Sequence, residues 1–89
     1  MNETKIKEIL DLLKEECGEL IVAASKTTRW GPDSTWNGRT NQENLTQEAG
    51  DVLALVGLLV EAKLLDLNEL DTAREAKLEK LKKWSTVFE

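Results

Sequence analysis

The sequence has no histidine, no tyrosine, one cysteine and one proline in 89 residues. Without histidine and with a single thiol, a Cys/His zinc site, a Ser-His or Cys-His nucleophile pair and an intrachain disulfide framework are all excluded. Metal chemistry in this chain must use carboxylates and a hard cation. Positive charge is also scarce: 12 Lys and Arg stand against 17 Asp and Glu, for a net charge of −5. That balance argues against nucleic acid as a partner, since such binding rests on clustered Lys and Arg meeting phosphates. Long hydrophobic runs are missing too. Glu61 and Lys63 interrupt the longest apolar stretch, so no membrane partner is expected. The mixed-charge start Met1-Asn2-Glu3-Thr4-Lys5 carries no apolar signal region, and a lone thiol fits a reducing, cytoplasmic location.

What is present is helical pattern. Hydrophobic residues make up 40% and charged residues 33%, the composition of one soluble, helix-rich domain over residues 1–89. Ile6, Ile9, Leu10, Leu13, Cys17, Leu20, Ile21 and Ala24 recur at 3/4 spacing, predicting a first helix from Asn2 to about Thr27. Leu45, Ala49, Val52, Val56, Leu59 and Val60 predict a second from about Asn41 to Leu64. Leu53, Leu55 and Leu58 widen its apolar face past half the circumference. Leu70, Ala73, Leu78, Leu81 and Trp84 predict a third, beginning near Leu67, with Trp84 in its core stripe. The expected fold is all-α, an antiparallel helical bundle. Because one short chain cannot cover so broad a second helix, completion by self-association is expected, as a homodimer or homotetramer. Thr40 with Glu43 reads as a capping box, and Asp66 with Glu69 reads the same way. Between the first two helices, Thr28 to Thr40 contains Gly-Pro and Asn-Gly and is expected to be a loop.

Two phrases of the form acid, small residue, glycine, acid stand out: Glu16-Cys17-Gly18-Glu19 and Glu48-Ala49-Gly50-Asp51. Their i,i+3 spacing is weak evidence, because Glu8/Asp11 and Asp66/Glu69 share it. Their placement is stronger. On a helical wheel Glu16 and Glu19 fall about 60° and 120° to one side of Leu13, and Glu48 and Asp51 about 40° and 100° to the same side of Val52. If the two stripes pack, four carboxylates meet at the edge of the core. Two like charges about 4 Å apart repel by roughly 4 kcal/mol at an effective dielectric near 20, and a proton or a cation relieves that. Gly18, Gly50 and Gly57 are expected to permit close backbone approach, and Cys17 to be a small buried hydrophobe. From the residues alone, a solvated acidic flank and a Mg²⁺ site are equally good accounts.

Basic residues raise a parallel question. Lys77 and Arg74 fall about 20° and 40° either side of Leu70, inside the apolar stripe of the third helix. Snorkelling is the simpler reading; binding of an anion beside the acids is the sharper one. Trp30 and Trp36 in the connecting segment either anchor it or stack on a base.

The paired motifs, read as ExxE followed by ExxD, resemble those of the MazG-like, all-α nucleoside triphosphate pyrophosphohydrolases. Glu15-Glu16-Cys17-Gly18-Glu19-Leu20, Glu48-Ala49-Gly50-Asp51-Val52-Leu53 and the intervening Lys26…Arg29-Trp30-Gly31-Pro32-Asp33-Ser34 resemble small phage and bacterial members. The similarity spans roughly Leu10 to Lys83. It implies hydrolysis of a (deoxy)nucleoside triphosphate between its α and β phosphates, giving the monophosphate and pyrophosphate. By the same resemblance, Glu16, Glu19, Glu48 and Asp51 are the catalytic, metal-binding acids, holding Mg²⁺ or Mn²⁺. Lys26, Arg29, Trp30, Arg74, Lys77 and Lys80 are the implied substrate-binding residues; Lys80 stands where the family's Lys-x-x-Arg pattern has arginine. The alternatives are a helical interaction module and a nucleotide-binding module without catalysis.

Overall fold

A computed structural model describes all residues, 1–89. Three helices, α1 (Glu3–Trp30), α2 (Asn41–Glu61) and α3 (Leu67–Trp84), account for most of the chain. Between α1 and α2 lies a minimal antiparallel hairpin of β1 (Thr35–Trp36) and β2 (Arg39–Thr40). The all-α expectation holds. No helix is long and apolar enough to cross a membrane.

The helix ends follow from local chemistry. Asn2 caps α1 by accepting from the Lys5 N–H at 2.9 Å. The helix runs to Trp30, three residues beyond the expected end, and stops at Gly31 with φ 89° and ψ 158°. That backbone region is essentially reserved for glycine. The capping box of α2 is complete: Thr40 Oγ1 accepts from the Glu43 N–H at 3.0 Å, and Glu43 Oε1 accepts from the Thr40 N–H at 2.9 Å. At α3 only half of that motif forms, with Asp66 Oδ2 accepting from the Glu69 N–H at 3.0 Å. α2 ends at Glu61 rather than Leu64, because Lys63 turns into the left-handed region at φ 64° and the N–H groups of Leu64 and Leu65 both fold back to the Leu59 carbonyl.

The connecting segment is more ordered than a loop. Asn37 and Gly38 both have positive φ, 54° and 76°, the requirement of the two-residue hairpin turn that matches strand twist. Trp36 pairs with Arg39 and Thr35 with Thr40. The hairpin then docks on the start of α2: the Ser34 and Pro32 carbonyls accept from the otherwise unpaired N–H groups of Asn41 and Gln42.

α1 and α2 pack along their lengths, and residues 12–16 of one share a surface depression with residues 51–55 of the other. The pairing is therefore antiparallel, and it sets Glu16 and Glu19 opposite Asp51 and Glu48. α3 has no packed interface with either helix. The molecule is a flat layer, 42 × 36 × 14 Å, in which only Ile9, Ala23, Leu59 and Asn41 are buried. Two expectations fail within the single chain. Trp84 is 81% exposed rather than core, because no helix faces α3. A methyl group added at Gly18, Gly50 or Gly57 meets nothing within 4 Å, so no backbone approaches them closely.

Candidate active site

Helical geometry and the antiparallel register deliver three carboxylates to one point. Glu16 and Glu19 are one turn apart on α1, and Glu48 faces them from α2. Each offers an oxygen within 4.8 Å of the others. Glu19 is exposed, whereas Glu16 and Glu48 are half-buried. Glu16 Oε2 and Glu48 Oε2 are shielded from water and have no hydrogen-bond partner. Asp51 lies outside the trio, beside Glu16 in a neighbouring depression with Leu12, Ala54 and Leu55.

The electrostatics reflect this crowding. The Glu16 carboxyl is pushed up to about 7, first by loss of hydration, then by the neighbouring Glu19 carboxyl, then by Asp51 and Glu48. Glu48 is raised for similar reasons, desolvation first and Glu19 second, with the nearby Glu16 carboxyl working the other way. No ion pair relieves them. The salt bridges of the chain, Lys14–Asp11, Arg74–Asp71, Arg74–Glu75 and Lys82–Glu79, are exposed and local to their own helices. Two orphaned, water-shielded carboxylate oxygens beside a third carboxylate form an all-oxygen donor set suited to a hard divalent cation.

Next to the trio, Glu19 and Glu48 form one wall of a cleft of about 500 Å³ that also takes in Glu15, Lys26, Trp36 and Asn44. That size is within the usual range for a small-molecule site. The cleft has an aromatic wall, one cation and an acidic end. Lys26 Nζ sits 4.1 Å from the Trp36 ring centroid, which holds the indole against the helix while leaving it 59% exposed.

Of the residues singled out from sequence, Glu16, Glu19, Glu48 and Lys26 are brought together, with Asp51 adjacent. Arg29 and Trp30 are not in that cleft; the guanidinium lies 5.2 Å from the indole centroid and both side chains are exposed. Trp30 reaches only a neighbouring depression with Ser34, Thr35 and Trp36. Arg74, Lys77 and Lys80 are exposed on α3 and contribute nothing to the trio within this chain.

Asn41 and Asn44 were not identified from sequence. Asn41 is 4% exposed, and its Nδ2 donates to the Gly31 carbonyl at 2.9 Å and to the Lys26 carbonyl at 3.4 Å, stapling the end of α1 to the start of α2. Asn44 lines the cleft. A signal existed: Asn41, Asn44 and Glu48 fall at i, i+3 and i+7, one helical face, and Thr40 already fills the cap.

No curated protein and no solved structure matches the chain. A family model does, over residues 4–85, and it is that of the MazG nucleotide pyrophosphohydrolase domain. The match covers α1, the hairpin, α2 and α3, and so includes both acid pairs and the cleft between them. This chain belongs to the MazG nucleotide pyrophosphohydrolase domain family.

Proposed function

We propose that the chain hydrolyses (deoxy)nucleoside triphosphates between the α and β phosphates, releasing the monophosphate and pyrophosphate, in a reaction that requires Mg²⁺. The observation that carries this reading is the pair of orphaned oxygens on Glu16 and Glu48 next to Glu19, at the end of a cleft of nucleotide size. Glu16, Glu19 and Glu48 would hold the cation, with Asp51 as the fourth acid. When bound, Mg²⁺ supplies charge neutralisation of the triphosphate and acidifies water.

The chain's own residues divide the remaining work. Trp36 offers an indole face for base stacking, steadied by Lys26. Asn44 presents an amide to the cleft, able both to donate to and accept from a base or sugar edge. Lys26 is the one cation lining the cleft and draws the anionic end of the substrate towards the acids. Glu15, exposed in the cleft and outside the cation-holding trio, is the carboxylate free to accept a proton from an attacking water. Asn41 positions the hairpin and thereby Trp36. Nucleotide pools place such an enzyme in the cytoplasm, with the substrate and a second copy of itself as partners and neither nucleic acid nor membrane among them.

The test is pyrophosphate release across a panel of ribo- and deoxyribonucleoside triphosphates, with Mg²⁺, with Mn²⁺ and with chelator. The reading predicts release that depends on divalent metal and equals monophosphate formed. Binding of nucleotide with no hydrolysis under any metal would instead favour a nucleotide-binding module.

A further inference from the structure

We propose that the depression between Trp30 and Trp36 is a second nucleotide site, separate from the substrate cleft. It takes a nucleoside monophosphate by stacking its base, and it weakens substrate binding through Lys26. The binding half rests on geometry alone; the regulatory half rests on the hydrolase reading.

The first observation is a space that the substrate cleft leaves unused. A depression of about 280 Å³ is lined by Lys26, Trp30, Ser34, Thr35, Trp36 and Asn41. Trp30, Ser34 and Thr35 do not line the cleft beside the acids. Trp30 and Trp36 are 57% and 59% exposed, so neither indole is given over to the core. Two of the three tryptophans in the chain thus open onto one small space. Exposed indoles beside a concave space are stacking platforms. Their mounts are held in place. Trp30 is the last residue of α1 and Trp36 stands on β1. Buried Asn41 fastens the end of α1 to the start of α2 through the Lys26 and Gly31 carbonyls.

The second observation concerns charge. The chain is acidic, yet residues 20–42 carry Lys26, Arg29 and Arg39 against a single acid, Asp33. Lys26 Nζ lies 4.1 Å from the Trp36 centroid, and the Arg29 guanidinium lies 5.2 Å from that of Trp30. Each indole therefore has a cation beside it, and neither cation is engaged in an ion pair. Such a surface suits a ligand that is flat at one end and anionic at the other. A nucleotide is that ligand. A triphosphate travels with a divalent metal, and no carboxylate lines this depression to hold one. A monophosphate needs only the cations. The Ser34 and Thr35 hydroxyls are left for its base edge or sugar.

Lys26 and Trp36 line both spaces, which couples them. One ammonium cannot serve two anions at full strength, so a monophosphate in the outer site lowers the affinity of the cleft for triphosphate. The effect saturates, because the cleft itself stays open.

The test follows the three indole Nε1–H signals by NMR in metal-free protein with chelator, assigned by replacing each tryptophan with phenylalanine. Titration with the four 2′-deoxynucleoside 5′-monophosphates is expected to shift Trp30 and Trp36 together and to leave Trp84 unmoved. No shift of Trp30, with or without one of Trp36, overturns the proposal. So do equal shifts with inorganic phosphate alone, which mean an anion site without stacking. Trp30→Ala replaces an exposed ring and is expected to weaken monophosphate binding roughly tenfold or more; unchanged affinity overturns the proposal as well. Filling the cleft first with Mg²⁺ and a non-hydrolysable triphosphate separates a second site from an extension of the first. Monophosphate is expected to shift Trp30 still. If the analogue has already produced that shift and monophosphate adds nothing, the depression belongs to the substrate site. During turnover, monophosphate is expected to raise KM about fivefold or more to a plateau. KM rising without limit means competition in the cleft alone and removes the regulatory half. A wild type that releases no pyrophosphate sinks the hydrolase reading instead, and the indole titration still decides the site.

Discussion

Among single residues, Glu48 makes the clearest demand, since its shielded oxygen is satisfied only by a proton or a cation. Glu48→Gln removes one ligand charge with nearly the same shape. The expected result is a folded protein whose pyrophosphate release falls by about a hundredfold or more, while thermal stability measured in chelator does not drop. Retained activity would show that the metal ligands lie elsewhere. Glu16 makes a pH-dependent demand. Its folded value of about 7 lies above the ordinary 4.5, so in the absence of metal the folded state holds a proton that the unfolded chain releases. The resulting stabilisation is complete below about 4.5 and is lost as pH rises towards 7. Denaturant titrations in chelator are expected to show stability falling over that window, and Glu16→Gln flattening the fall. Added Mg²⁺ competes with the proton, so its apparent affinity rises with pH through the same range. At Gly31 the demand is conformational: Gly31→Ala is expected to destabilise by about 1–3 kcal/mol although nothing crowds the added methyl.

Secondary-structure elements show where sequence reading succeeds and where it stops. The three helices were legible because their apolar spacing, the Thr40–Glu43 box and the Asp66 cap agree with one another. The hairpin was read only as a loop. Two-residue strands are too short for alternation to register, although Asn37-Gly38 already prescribed its turn. The acid trio was legible because both pairs lie on the same flank of facing helices. Asp51 falls just outside it, further round the α2 wheel than Glu48. Asn41 and Asn44 escaped because polar residues at a helix start resemble solvated surface; only the fold shows that α1 and the hairpin close over them. This element carries its own prediction. Thr40→Ala removes a hydroxyl cap and is expected to cost about 1 kcal/mol in denaturant titration. It also loosens the hairpin that presents Trp36. Trp36→Ala, by contrast, leaves stability nearly unchanged, because the ring is exposed, and raises KM by roughly ten- to a hundredfold through lost stacking. Equal KM in Trp36→Ala and wild type would move the base site elsewhere.

For the molecule as a whole, large apolar side chains lie open to solvent. Leu53 on α2 is 71% exposed and Trp84 on α3 is 81% exposed, in a layer only 14 Å thick. Sequence could not reveal that α3 stands away from its own helices, since an apolar stripe marks a face able to pack and does not name what it packs on. The account of function depends on one point in space, the convergence of Glu16, Glu19 and Glu48. Crystals grown with Mn²⁺ and a triphosphate analogue resistant to cleavage between its α and β phosphates test it most directly, through the anomalous scattering of the metal. The account predicts a peak bound by oxygens of Glu16, Glu19 and Glu48, with the phosphates on its open side and the base against Trp36. A metal bound by phosphates alone, with the three carboxylates making no contact to it, would contradict the account.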